Sequence, residues 1–143
     1  MLFGALIAQK VLSPFLAILL AFLGHYFLDF FPHIEYSIEN IQNKNWKKSL
    51  PDFIKVFLDF LFGVIFIFTL SNNQPIIYIC AFFAILPDGL SLLGSILKNK
   101  FLDGHNDFHQ KKIHFLKNKK ISLLWRIFSQ IIVAVICVFL LKN

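Results

Sequence analysis

The chain has 143 residues, of which 57% are hydrophobic and 17% aromatic, and its formal net charge is +6 at pH 7. A mean hydropathy of +0.70 is too high for an ordinary soluble domain of this size. These values exclude a soluble fold and predict a small all-α membrane protein with a single domain over residues 1–143. The charge does not indicate nucleic-acid binding, because the lysines cluster between the apolar runs.

Four apolar runs have about the 18 to 20 residues that a helix needs to cross a bilayer. They predict a polytopic helical bundle with about four spans, at 14–32, 52–70, 75–97 and 121–141. Residues 1–13 are apolar but short, and their role stays open. We expect the first run to be retained rather than cleaved as a signal peptide, because it lacks a small-x-small cleavage pattern.

Serine and proline mark where the predicted helices begin and break. Ser13-Pro14 has the N-cap and first-turn residues that start a helix. "LPDG" lies inside the third span, where Pro87 removes a backbone hydrogen bond and Gly89 loosens the helix. Within a membrane, such a break requires protein or water to satisfy the freed backbone groups.

The two predicted connectors, residues 33–51 and 98–120, contain 10 of the 14 lysine and arginine residues. The positive-inside rule therefore places both connectors in the cytoplasm and both termini outside, in the inner membrane of the cell. Lysines alternate irregularly with apolar side chains in the second connector. We expect a helix lying on the membrane there, in contact with anionic lipid. The oligomeric state stays open.

Ionisable side chains inside the apolar runs form the candidate functional site, with His25, Asp29, Asp59 and Asp88 as its members. A carboxylate at the bilayer centre costs about 2.5 to 3.5 kcal/mol, so three of them require partners. Counted from the lysine-rich ends of the spans at ~1.5 Å per residue, His25, Asp59 and Asp88 lie roughly 10 to 14 Å deep. Asp29 is one turn shallower. A shared polar site is therefore favoured over separate structural roles.

His25 and Asp29 lie four residues apart, so both project from one face of a helix and can chelate one ion. The set of nitrogen and oxygen donors suits Zn²⁺, with Mn²⁺ or Fe²⁺ as alternatives. A bound divalent ion offsets the carboxylate charges and activates a bound water. A proton or cation pathway is the alternative use of the cluster. Cys80 and Cys137 are expected to be small apolar residues rather than ligands.

The remaining histidines and two lysines are weaker candidates. His33 and His114 are candidate catalytic proton shuttles, with an interfacial or solvated position as the alternative for each. His105 is expected to be a solvated residue of the connector. Lys111 and Lys112 are candidates for binding a lipid phosphate, and determinants of topology are the alternative.

Three motifs resemble those of the membrane-bound predicted metal-dependent hydrolases, the group that includes the LexA-regulated inner-membrane members. "GHYFLD" is similar to a helix element with the pattern S/G-H-x-x-x-D, "ILPDGL" to an L-P-D element, and "HNDFHQKKIH" to a His-rich loop. The resemblance implies that His25, Asp29, Asp88 and His109 are metal ligands. Asp59 is added to this set by its depth alone.

The chain also departs from that family. Leu90-Ser91 stands where a further Asp-His usually follows L-P-D, and the order of the motifs differs. The resemblance implies a membrane-embedded metal-dependent hydrolase, and the depth of the site indicates a lipid or phosphodiester-type substrate at the cytoplasmic leaflet. The alternative is a non-enzymatic membrane protein, either a metal or proton transporter or a subunit of a membrane complex.

Overall fold

The computed structural model describes residues 1–34, 38–97, 99–113 and 121–143. Of these residues 81% are helical, and none lies in a strand. The α-helices in chain order are α1 (Leu2–Lys10), α2 (Pro14–Asp29), α3 (Glu39–Gln42), α4 (Leu50–Leu70), α5 (Pro75–Phe83), α6 (Leu86–Ile96), α7 (Lys100–Phe108) and α8 (Leu123–Lys142). A 3₁₀ turn at Trp46–Lys48 precedes α4, and a π-helical turn at His109–Ile113 extends α7. The predicted all-helical class is confirmed.

Two described helices, α4 and α8, are long and apolar enough to cross a membrane. The pair formed by α5 and α6 is apolar enough to be a third span, but a 50° bend divides it. The prediction of about four spans is not confirmed. The first predicted span, residues 14–32, contains a helix of only 16 residues, because α2 ends at Asp29.

Local sequence explains where α2 begins. The side chain of Ser13 accepts a hydrogen bond from the N–H of Leu16, and Pro14 occupies the first turn. A serine cap satisfies one of the backbone donors that a helix start leaves unpaired, and proline is preset for the first helical position. The predicted start at residue 14 is therefore correct, and the helix ends at Asp29, one turn after His25.

Helix α1 lies at the centre of the bundle, packed against α2, α4, α5 and α8. Gly4 faces the backbone carbonyl of Cys80 so closely that no Cβ fits between them. Ala5, Ala17 and Ala21 are fully buried where these helices meet. Small residues let helix backbones approach closely, which is how helices associate in lipid. The segment 1–13, without an assigned role in the sequence, thus contributes Gly4, Ala5 and Leu6 of α1 to the core.

The break at Pro87 directs the chain towards α2. Helix α5 ends at Phe83, and α6 starts at Leu86 in a direction 50° away. Proline lacks the N–H that would continue the helical ladder, and its ring clashes with the preceding turn. Helix α7 then returns along α6, with Leu102 packed beside Gly94. The break and this return bring three separate parts of the chain together at one point.

Candidate metal centre

Helix α2 contributes the first two side chains of the candidate site. Nε2 of His25 lies 3.0 Å from Oδ2 of Asp29, one helical turn further along. His25 is 7% exposed and Asp29 is 15% exposed, so both side chains point into the protein. Residues four apart are neighbours on a helix surface, so the sequence alone predicts this pair.

His109 comes from the other end of the chain and is fully buried. Its Nε2 lies 3.2 Å from Nε2 of His25 and 3.1 Å from Oδ2 of Asp29. The return of α7 along α6 and the π-helical turn that follows place the imidazole there. The His25 and His109 rings are stacked, with centroids 5.3 Å apart and planes inclined by 28°.

Asp88 completes the group from the first turn of α6. Its Oδ1 lies 3.6 Å from Nε2 of His25, and its side chain is 64% exposed. One ligand atom from each of His25, Asp29, Asp88 and His109 lies within 4.8 Å of the other three, so the group can hold a metal ion. These are the four residues that the sequence motifs match.

Second hydrogen bonds orient both imidazoles. Nδ1 of His25 donates to the backbone carbonyl of Ala84 at 2.8 Å, so this nitrogen carries the proton. Nδ1 of His109 lies 3.1 Å from the hydroxyl of Ser91. In a neutral imidazole with Nδ1 protonated, Nε2 has a free lone pair, and metal-binding histidines are usually oriented this way. Both Nε2 atoms face the same point.

The break at Pro87 explains why the carbonyl of Ala84 is available. In an uninterrupted helix this carbonyl would accept the N–H of Asp88, four residues later. Here His25 occupies it. A protein group thus satisfies the carbonyl that the break leaves free, as predicted. That group is His25, a member of the candidate site.

The spacing of three of the four ligand atoms fits an ion with tetrahedral coordination. With bonds of about 2.0 to 2.1 Å, two ligand atoms of a tetrahedral zinc site lie about 3.3 Å apart. The three distances among His25 Nε2, Asp29 Oδ2 and His109 Nε2 are 3.0, 3.1 and 3.2 Å. His25, Asp29 and His109 would therefore hold a divalent ion through these three atoms with only small shifts. The donors present therefore fit a divalent cation.

Aromatic side chains close one side of the group. Tyr26 lies edge-on to the rings of both His25 and His109, and its hydroxyl is 3.1 Å from Nε2 of His105. The rings of His105 and His109 stack with centroids 5.6 Å apart. Burial and the neighbouring His109 lower the pKa of His105, so its ring stays neutral at pH 7. His105 is thus packed beside the site, whereas the sequence predicts a solvated residue.

The structure does not bring Asp59 into the group. Its side chain is exposed on α4, where it interacts electrostatically with the amine of Met1. Matched depth along the membrane normal does not determine which way a side chain points around its helix. The inclusion of Asp59 among the predicted ligands is therefore not supported by the geometry.

The weaker candidates lie elsewhere. Nδ1 of His33 is 2.9 Å from the carbonyl of Phe31, outside the four-residue group. Lys111 pairs with Asp107 at 2.9 Å, and both side chains are largely exposed, as is Lys112. His114 lies outside the described residues.

Sequence reasoning missed a group of polar residues on α8. Ser129 donates to the carbonyl of Pro32, and Gln130 donates to the carbonyl of Ile34 at 3.0 Å. Arg126 donates to the carbonyl of His33 at 3.5 Å. These carbonyls follow the end of α2. The signal was available, because Arg126, Ser129 and Gln130 are the polar residues at helical spacing in an otherwise apolar run.

No protein-family model, curated protein or solved structure matches the chain. The fold and the site define a helical protein with helices apolar enough to span a membrane and with a His/Asp cluster that can bind a metal ion. The resemblance to the membrane-bound hydrolases stays an expectation from three motifs. Function is therefore inferred from the geometry of the site.

Proposed function

We propose that the protein is a membrane-embedded metal-dependent hydrolase that acts on a lipid or a phosphodiester-type substrate at the cytoplasmic leaflet. The observation that carries the proposal is the triangle of His25 Nε2, Asp29 Oδ2 and His109 Nε2, with sides of 3.0 to 3.2 Å. Two buried imidazoles and a carboxylate with ligand atoms this close repel one another unless protons or a cation lie between them. A divalent cation satisfies all three at once.

Zinc is the ion that this donor set favours. Two imidazoles and carboxylate oxygens, without a thiolate, form a mixed nitrogen and oxygen set that also accepts Mn²⁺ or Fe²⁺. The near-tetrahedral spacing and the hydrogen-bonded second nitrogen of each imidazole are typical of zinc sites. When bound, the ion polarises a substrate oxygen and makes an attacking water more acidic.

The position of the site supports a membrane substrate. Asp88 lies about 12 Å along the helix axis from Ile96, the end of α6 that precedes the lysine-rich second connector, at ~1.5 Å per residue. Half of the hydrocarbon core is about 15 Å thick, so a site at this depth lies within the leaflet on that side, among membrane lipids. The positive-inside rule favours the cytoplasm for that side.

The proposal is tested with protein purified in detergent, loaded with Zn²⁺ and freed of excess metal. We expect about one zinc per chain in wild type and in Asp103→Ala, a control for an exposed carboxylate on α7. We expect little zinc in Asp29→Ala. Phospholipid vesicles then serve as the substrate, and lipid hydrolysis is measured with and without zinc.

Each outcome decides one part of the proposal. Zinc-dependent hydrolysis that disappears in Asp29→Ala supports the hydrolase. If purified wild-type protein holds no stoichiometric metal after loading, the proposed metal centre is wrong. Stoichiometric zinc without hydrolysis of any vesicle lipid overturns the hydrolase and favours a metal transporter or a subunit of a membrane complex.

A further inference from the structure

The two carboxylates of the candidate site differ in geometry. Oδ2 of Asp29 lies 3.0 Å from Nε2 of His25 and 3.1 Å from Nε2 of His109, and the side chain is 15% exposed. Asp88 lies further out, with Oδ1 3.6 Å from Nε2 of His25, and its side chain is 64% exposed. One carboxylate thus lies between the two imidazoles, whereas the other lies at the edge of the group.

The side chain of Asp88 is largely exposed, and the neighbouring position is uncrowded as well. A Cβ added to Gly89, the next residue, would meet no atom within 4 Å. Asp88 also lies in the first turn of α6, where the unpaired N–H groups at the helix start favour a negative charge. Its carboxylate is therefore stabilised at this position without a metal bond. Asp29, at the end of α2, has no such support from its own helix.

Zinc sites in proteins fall into two types with different numbers of protein ligands. Structural sites are closed by four side chains, whereas catalytic sites have three, with water or substrate in the fourth position. The three buried or nearly buried ligands here, His25, Asp29 and His109, form the compact triangle described above. Asp88, the most exposed member of the group, lies outside this triangle.

We infer that His25, Asp29 and His109 hold the ion, and that Asp88 borders an open coordination position where water and the oxygen of an ester or phosphoryl group enter. The inference rests on the proposed function and assigns different roles to the two carboxylates. Asp88 accepts a hydrogen bond from the entering water and sets the side from which it approaches. The site is thus of the catalytic type.

The test compares two isosteric variants, Asp29→Asn and Asp88→Asn, in purified protein titrated with Co²⁺, whose visible absorption reports coordination. We expect Asp29→Asn to weaken cobalt binding more than about 100-fold, because loss of a ligand exceeds the roughly 10- to 100-fold cost of losing an outer hydrogen bond. We expect Asp88→Asn to weaken it less than about 10-fold. Asp103→Asn serves as a control for an amide on an exposed helix face, and circular dichroism verifies the helical fold of all variants.

A second readout tests the open position itself. Inorganic phosphate added to the cobalt protein is expected to change the visible spectrum of wild type and of Asp88→Asn, because an oxygen enters the coordination sphere. Equal loss of cobalt in the two variants overturns the inference, as does a wild-type spectrum that phosphate leaves unchanged. If wild type binds no cobalt or zinc, the proposed function fails and the inference fails with it. The wild-type titration and the comparison of variants thus separate the two failures.

Discussion

Replacement of Ser91 by alanine is expected to weaken metal binding about 10- to 100-fold, the usual cost of removing an outer partner of a metal-binding histidine. The hydroxyl of Ser91 lies 3.1 Å from Nδ1 of His109, a side chain with no exposed surface. Removal of the hydroxyl takes a hydrogen bond away from this buried nitrogen, at a cost of about 1 to 3 kcal/mol. Since 1.4 kcal/mol is a factor of ten, the two magnitudes agree.

The cost falls on the metal-bound state because Nε2 can bind the ion only while Nδ1 carries the proton. Ser91→Thr retains a hydroxyl and is expected to restore binding. The matched control is Ser95→Ala, one turn further along α6, where the hydroxyl donates to the backbone carbonyl of Ser91 and does not reach the site. Zinc affinity, measured by competition with a chelator, is the assay.

A structural role alone would lower the thermal stability of Ser91→Ala and Ser95→Ala alike and leave zinc affinity unchanged. Nitrogen NMR of labelled histidine provides a direct check, because it distinguishes the protonated from the metal-bound ring nitrogen. Equal zinc affinity for wild type and Ser91→Ala would refute the assigned role of the hydroxyl in orienting His109.

Three further substitutions test how the fold supports the site. Gly4→Val is expected to destabilise the protein by about 1 to 3 kcal/mol, because the valine side chain meets the carbonyl of Cys80. Thermal unfolding in detergent measures the loss of stability, and an unchanged unfolding midpoint would contradict the prediction. Pro87→Ala lets α5 continue into α6, so that the N–H of Asp88 competes with His25 for the carbonyl of Ala84. Zinc affinity should then fall about tenfold, and an unchanged affinity would count against this role of the break. Asp52→Ala removes a buried acceptor of a connector N–H and should cost about 1 to 3 kcal/mol, with zinc affinity retained; loss of zinc binding would show coupling that the structure does not contain.

Features that depend on neighbouring residues were predictable from the sequence. The pair of His25 and Asp29 follows from the 3.6-residue period of a helix, and the start of α2 follows from Ser13 and Pro14. The break at Pro87 follows from its missing N–H. Each of these features is determined within one or two turns of the chain, so no knowledge of packing is required.

The outcomes for Asp59 and His105 show the limit of this reasoning. Residue counting places Asp59 at the depth of the site, but depth specifies only one of the coordinates of a side chain. Asp59 is exposed on α4 and lies outside the four-residue group. His105 precedes His109 by one helical turn, so the helix that places His109 in the site also places His105 beside it.

By itself the sequence determined the all-helical class, the apolar segments and the local pairing of His25 with Asp29, because composition and helical period act over short distances. The tertiary structure decided that α1 lies in the core, that Asp59 stays outside the group that His109 joins, and that Ser91 and the carbonyl of Ala84 orient the imidazoles. These features depend on the close approach of helices separated by as many as 84 residues. Small residues such as Gly4 permit that approach, and the rotation of each packed helix selects the side chains that meet.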